Sequence, residues 1–208
     1  MHESNIPTLA DLATRTVDVY ERNAARFDSD RTKVLIEKTW LDRFAALLPP
    51  GGTILDAGCG AGDPIARYLS SLGHRVTGVD AAHAMIDLAR KNFPGGDWRQ
   101  ADLRHLDLDE TFDGVIGWDS FFHLTPQEQR TTLVRLASHL EPKGVLMLTV
   151  GPEAGEVAGR VGDDPVYHSS LSLTEYQAVL EGLGLRILQF VRQDPDCGFH
   201  TVLLACKQ

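Results

Sequence analysis

Apolar residues recur at three- and four-residue steps over 9–27, at Val17, Tyr20, Ala24 and Phe27, and this spacing predicts an amphipathic helix. A second run of the same kind carries Val34, Ile36, Trp40, Phe44, Leu47 and Leu48, and it stops at Pro49-Pro50-Gly51-Gly52. Beyond this point the pattern alternates between short apolar runs and amphipathic stretches. Residues 53–57 read as a strand, and a helix follows to about Leu72, with Asp63 as the expected N-cap and Pro64 at the first helical position. Residues 75–80 form a second strand, followed by a helix through Met85, Leu88 and Ala89. Residues 97–102 and 112–118 read as third and fourth strands. Thr125-Pro126-Gln127-Glu128 is a capping box that opens another helix. The run 144–150, GVLMLTV, is apolar enough for a strand buried on both faces.

Strands alternating with helices predict an α/β fold with a doubly wound parallel sheet. The C-terminal part breaks the rhythm. Ser172-Leu173-Thr174-Glu175 opens a helix that ends near Gly182 or Gly184, and two strands are then expected at 185–192 and 200–206. A parallel crossover needs a dozen or more residues, so the short 193–199 connection predicts an antiparallel hairpin at the sheet edge. Residues 151–171 contain several Gly and Pro and read as a long loop hanging over the strand ends, where ligands bind in such sheets.

Composition narrows the partners. The 208 residues fit one domain, and a net charge of -9 with no basic run argues against nucleic acid. The N-terminal segment has neither a basic region nor an apolar core, so no signal peptide is expected. No apolar run has the length of a membrane span, and no membrane partner is expected. The three cysteines form no C-x-x-C pair, which fits a reduced, cytoplasmic setting. No Cys/His cluster has metal-ligand spacing, so no metal is expected. The expected state is monomer or homodimer.

The chemistry concentrates in ILDAGCGAGDP, where Gly58, Gly60 and Gly62 follow the first strand. Such a turn lets a ligand approach bare backbone at a helix start. The spacing is G-x-G-x-G rather than the dinucleotide fingerprint G-x-G-x-x-G. Introduced by the acidic Asp56, it resembles motif I of the class I S-adenosylmethionine-dependent methyltransferases. Asp80 lies where that family places the acid for both ribose hydroxyls, and Asp102 at the acidic position facing the adenine amino group. FDGVIGWDSFFHL resembles the fourth-strand motif and LEPKGVLMLTV the fifth, with Lys143 replacing a glycine. YERNAARF resembles the cofactor-capping helix of bacterial-type small-molecule members.

The resemblance covers the whole chain. It implies a Rossmann-like seven-stranded sheet, order 3-2-1-4-5-7-6 with the last strand antiparallel, in a single domain of 1–208. Residues 1–48 would form a helical cap, 49–150 the cofactor-binding core, and 151–208 a substrate loop, helix and hairpin. It also implies S-adenosylmethionine as cofactor. The expected site takes Asp56, Gly58, Cys59, Gly60 and Gly62 from the turn, and Asp80, Ala81 and Met85 from beyond the second strand. Asp102, Leu103 and Trp118 follow the third and fourth strands, and Tyr20 comes from the first helix. Asp56 would meet the ligand's ammonium while the loop N–H groups face its carboxylate.

Candidates on the acceptor side are Asp119, His123, Tyr167 and His168. His123 is either a catalytic base or a packed structural histidine, and Trp118 either stacks on substrate or fills the sheet end. Cys59 reads as a packing residue. The activity expected is methyl transfer to a small molecule. The rival readings are a nicotinamide-dependent oxidoreductase and a protein that binds the cofactor without methylating. Against the first stand the glycine spacing and the antiparallel ending.

Overall fold

The computed structural model describes residues 7–31 and 34–208. Two helices precede the sheet, α1 (Leu9–Asp30) and α2 (Lys38–Ala45). The core alternates through β1 (Thr53–Ala57), α3 (Ile65–Ser71), β2 (Arg75–Asp80), α4 (His83–Asn92), β3 (Asp97–Gln100), β4 (Phe112–Gly117), α5 (Pro126–Ser138) and β5 (Leu140–Val150). A separate hairpin, β6 (Gly155–Val161) and β7 (Asp164–Ser170), leads to α6 (Leu173–Gly182), β8 (Leu185–Asp194) and β9 (His200–Lys207).

The main sheet has seven strands in the order β3-β2-β1-β4-β5-β9-β8. Strands β1 to β5 are parallel, and β9 is antiparallel to both β5 and β8. Counted within that sheet, this is the expected order; the numbering shifts because β6 and β7 form a second, two-stranded sheet. The inner strands alternate their apolar side chains between two cores, as a period of two requires. Leu55, Val115, Leu146, Leu148 and Leu203 enter the core shared with α5 and α6. Ile54, Ile116, Val145, Met147 and Leu204 enter the core shared with α2 and α3.

Several expected boundaries move. Residues 151–171 are largely a hairpin rather than a loop: Val161 pairs with Asp164 across Gly162-Asp163, and Gly162 adopts φ +57. A Gly-Asp pair between two short runs is itself a hairpin signal. Asp63 does not cap α3. Pro64 is the N-cap, with no side-chain capping bond, while Asp63 pairs with Arg67 Nε at 3.3 Å. Helix α2 is shorter than the apolar run, because Val34 to Glu37 make tight turns instead, Ile36 N–H donating to Val34. Strand β3 stops at Gln100 because Asp102 accepts from Arg104 N–H (2.9 Å) and caps a 3-10 turn, Leu103–His105. Strand β4 stops at Gly117. The capping boxes at Thr125 and Ser172 form with both reciprocal bonds.

Candidate active site

The turn after β1 folds around its neighbours. Gly58 N–H and Cys59 N–H both donate to the Val79 carbonyl, at 2.8 and 2.9 Å, and Gly62 N–H donates to Cys59. These groups are spent inside the protein, so they do not face a ligand carboxylate as expected. Gly58, at φ +90, has a second constraint: a Cβ there would stand 2.2 Å from Ser120 Cβ. Ser120 Oγ in turn donates to the Ala57 carbonyl at 2.6 Å, tying β1 to the loop after β4. Gly60 differs, since at φ +51 a Cβ would meet nothing within 4 Å and the space above the backbone stays open. Its N–H donates to Asp80 Oδ2 at 3.0 Å.

Asp80 closes β2 and accepts from Ala82 N–H through Oδ1 at 2.9 Å. Burial raises its carboxyl to about 6, against the lowering effect of these backbone bonds. Asp56 is 3% exposed and lies beside it. Loss of water raises Asp56 to about 7; the Arg31 charge opposes this and the Asp80 charge adds to it. Two carboxyls held at the ends of adjacent strands, with no cation bonded to either among the described residues, form an electronegative floor.

That floor opens into a cavity of about 970 Å³ counting its open mouth. Asp56, Gly58, Cys59, Gly60, Asp80 and Ala81 line one side. Met85, Asp102, Leu103, Trp118, Asp119, His123 and Tyr20 line the rest. Three expected residues are not in its lining. Gly62 packs against Trp98, whose ring would stand 2.7 Å from a Cβ there. Tyr167 is 1% exposed, and its hydroxyl bonds to Glu156. His168 lines a neighbouring cavity instead. Asp102 faces the site, but one oxygen already serves as the cap for Arg104. The Cys59 thiol is pushed up by burial and points Sγ at the Gly60 carbonyl, consistent with packing.

Helix α1 forms the roof. Its Tyr20, Ala24 and Phe27 pack on Ala82 and Met85, and Glu21 accepts from Ala84 N–H at the start of α4. The Tyr20 hydroxyl lies 2.8 Å from His123 Nε2, and His123 Nδ1 lies 2.9 Å from the Tyr167 carbonyl. A carbonyl only accepts, so Nδ1 carries the proton and Nε2 accepts from Tyr20. Burial lowers His123 to about 4, which keeps that ring neutral. His123 therefore joins roof helix, β4 loop and hairpin.

Sequence reasoning missed Arg31, Arg104, Ser120 and His200, the first three of which line the cavity. Arg31 was within reach, because Tyr20, Ala24, Phe27 and Arg31 follow one helical face. His200 had no local signal; the insertion of β9 beside β5 brings it to Asp119.

The glycine turn, strand-end carboxylates and reversed last strand define the class I Rossmann-like methyltransferase architecture. Residues 54–144 match the family model described as a methyltransferase domain. That match runs from β1 into β5, and over its whole length the chain shares the fold of S-adenosylmethionine-dependent methyltransferases. It is similar to the cypemycin N-terminal methyltransferase of Streptomyces sp, 37% identical over 103 residues, 47% of this chain and 41% of that protein. Trans-aconitate 2-methyltransferase of Azoarcus sp. (strain BH72) is 28% identical over 201 residues, 80% of this chain and 76% of that one. Among solved structures, the Burkholderia thailandensis 1,6-didemethyltoxoflavin-N1-methyltransferase, bound to 1,6-didemethyltoxoflavin and S-adenosylhomocysteine, superposes with a TM-score of 0.74. It is 21% identical, and the match covers 99% of this chain and 93% of that one. The chain spans under half the length of the curated relatives it matches first. Among the described residues no helix is long and apolar enough to cross a membrane.

Proposed function

We propose that the cavity binds S-adenosylmethionine and that the protein transfers its methyl group to a small-molecule acceptor. One observation carries this reading: Asp80, fixed by Gly60 N–H and Ala82 N–H, presents a carboxylate beside the open backbone of the glycine turn. The residues suit the cofactor. Asp80 would accept from the ribose hydroxyls, Asp56 would meet the ammonium, and Asp102 with Leu103 would face the adenine. When bound, S-adenosylmethionine supplies a methyl group already activated on a sulfonium.

The protein's own work is then positioning and the exclusion of water, which can lower a barrier by roughly 7–11 kcal/mol when groups are well aligned. Helix α1 and its Tyr20 cover the cofactor. His123 holds Tyr20 through Nε2, so in this reading it is a positioning residue whose lone pair is already engaged. The acceptor would enter through the second cavity, between α1 and the hairpin, which shares Tyr20, Phe27, Arg31 and Asp119 with the first. The relatives are named for acceptors as different as a peptide N-terminus, trans-aconitate and 1,6-didemethyltoxoflavin, so no acceptor is carried over from them.

The test is a thermal-shift comparison of S-adenosylmethionine, S-adenosylhomocysteine and NAD, followed by a screen of metabolite pools with labelled methyl donor. Stabilisation by the first two and not by NAD, together with label in a small molecule, is expected. Stabilisation by NAD alone would overturn the reading.

A further inference from the structure

We propose, resting on the cofactor reading above, that Asp119, ion-paired with His200, anchors the nitrogen of an amine as the methyl acceptor. Asp119 stands where the two cavities meet and lines both. Its backbone is in the left-handed region at φ 54, uncommon outside glycine and tolerated best by Asp and Asn. Its N–H donates to Thr149 Oγ1 at 2.8 Å, which fixes the turn against β5.

His200 Nε2 lies 2.9 Å from Asp119 Oδ1, and Nδ1 lies 2.7 Å from the Cys197 carbonyl. A carbonyl and a carboxylate both only accept, so both ring nitrogens carry hydrogens and the ring is an imidazolium. Among the described residues Asp119 Oδ2 has no protein partner, and it is left for an incoming donor.

The surrounding charges favour a cation as that donor; to accept the methyl group the bound ammonium would first lose a proton to solvent, and the freed lone pair would bond to the methyl carbon as its bond to sulfur breaks and S-adenosylhomocysteine leaves. The cofactor cavity is lined by Asp28, Asp56, Asp63, Asp80, Asp102 and Asp119 against Arg31 and Arg104. The cations of the second cavity already have neighbours. Arg31 stands 3.6 Å from Glu37, Arg26 bonds to Asp30 and Asp163, and Arg160 donates to the Asp163 carbonyl. A carboxylate acceptor would set its lone pairs against those of Asp119. Phe27, Phe122 and Tyr20 supply apolar walls beside the anchor, suited to the body of an amine.

The experiment uses the full chain saturated with S-adenosylhomocysteine and three probes of one shape: benzylamine, benzyl alcohol and benzoate. Binding is followed by ligand-observed NMR, in wild type, Asp119→Asn and His200→Gln, after calorimetry has measured S-adenosylhomocysteine binding in each. Benzylamine should bind about ten- to a hundredfold tighter than benzyl alcohol in wild type, the scale of one charge-assisted hydrogen bond. Benzoate should bind most weakly. Asp119→Asn, which suits the same backbone conformation, should erase the amine preference, and His200→Gln should reduce it. S-adenosylhomocysteine binding with no amine preference, or a preference that survives in Asp119→Asn, overturns the proposal while leaving the cofactor reading intact. Failure of S-adenosylhomocysteine to bind wild type overturns both.

Discussion

Replacing Asp80 separates the ligand from the fold. The carboxylate holds the Gly60 and Ala82 N–H groups, at 3.0 and 2.9 Å, and has lone pairs left for two ribose hydroxyls. A hydrogen bond to a charged group contributes about 1.5–3 kcal/mol, and about 1.4 kcal/mol is tenfold in affinity. Asp80→Ala should therefore weaken S-adenosylhomocysteine about ten- to a hundredfold. The same change strands two backbone donors at the cavity floor, each worth about 1–3 kcal/mol if left dry. Relief of a buried charge offsets part of that loss, since Asp80 sits where burial has raised it to about 6. At about 2–4 °C per kcal/mol for a chain of this size, the melting point should drop by several degrees with the protein still folded. Asp80→Asn keeps one acceptor oxygen and should lose less on both counts. Calorimetric titration of S-adenosylhomocysteine, with melting curves on the same samples, reads both effects. Unaltered affinity in a folded Asp80→Ala protein would place the ribose elsewhere and refute the reasoning.

Three further outcomes are expected. Asp56 and Asp80 are raised to about 7 and about 6, so the free protein binds more protons than the unfolded chain above pH 4. Its stability should therefore fall as pH rises from about 4 to 7, while S-adenosylhomocysteine, which favours the ionised carboxylates, should bind more tightly over the same window; parallel melting and titration series check both. Tyr20→Phe leaves His123 Nε2 without its donor and should cost about 1–3 kcal/mol of stability, with faster hydrogen exchange along α1. Hydrogen exchange with and without S-adenosylhomocysteine should show protection over 15–28 and in the hairpin region 151–171. Identical exchange in both segments would rule out ligand-coupled closure.

The sheet was legible because strands such as β1, β2 and β4 are short, apolar and punctuated. Thr53–Ala57 and Arg75–Asp80 follow their residues without adjustment, and the short connection between the last two strands, 195–199 in the structure, forces the antiparallel ending. The hairpin of β6 and β7 was not legible from hydropathy, since β6 is mostly exposed and the Gly and Pro of 151–171 suggest a loop. Only the Gly162-Asp163 pair marks the turn. At the site, Asp56 and Asp80 were readable as acids at strand ends. The roles of Gly58 and Gly62 were not, because what they admit is Ser120 and Trp98, side chains distant in sequence. Asp102 lines the cavity, and its capping bond, which depends on the 3-10 turn that ends β3 early, had no signal in the sequence. Tyr167 does not line the cavity because it is buried in β7 with its hydroxyl on Glu156, which a loop assignment could not reveal.

The most direct measurement is a crystal structure of the protein grown with saturating S-adenosylhomocysteine. It should show the ribose hydroxyls within hydrogen-bond distance of Asp80, the adenine against Asp102 and Leu103, and the ligand beneath Tyr20. S-adenosylhomocysteine bound outside this cavity, or a cavity without it at saturation, would contradict the account.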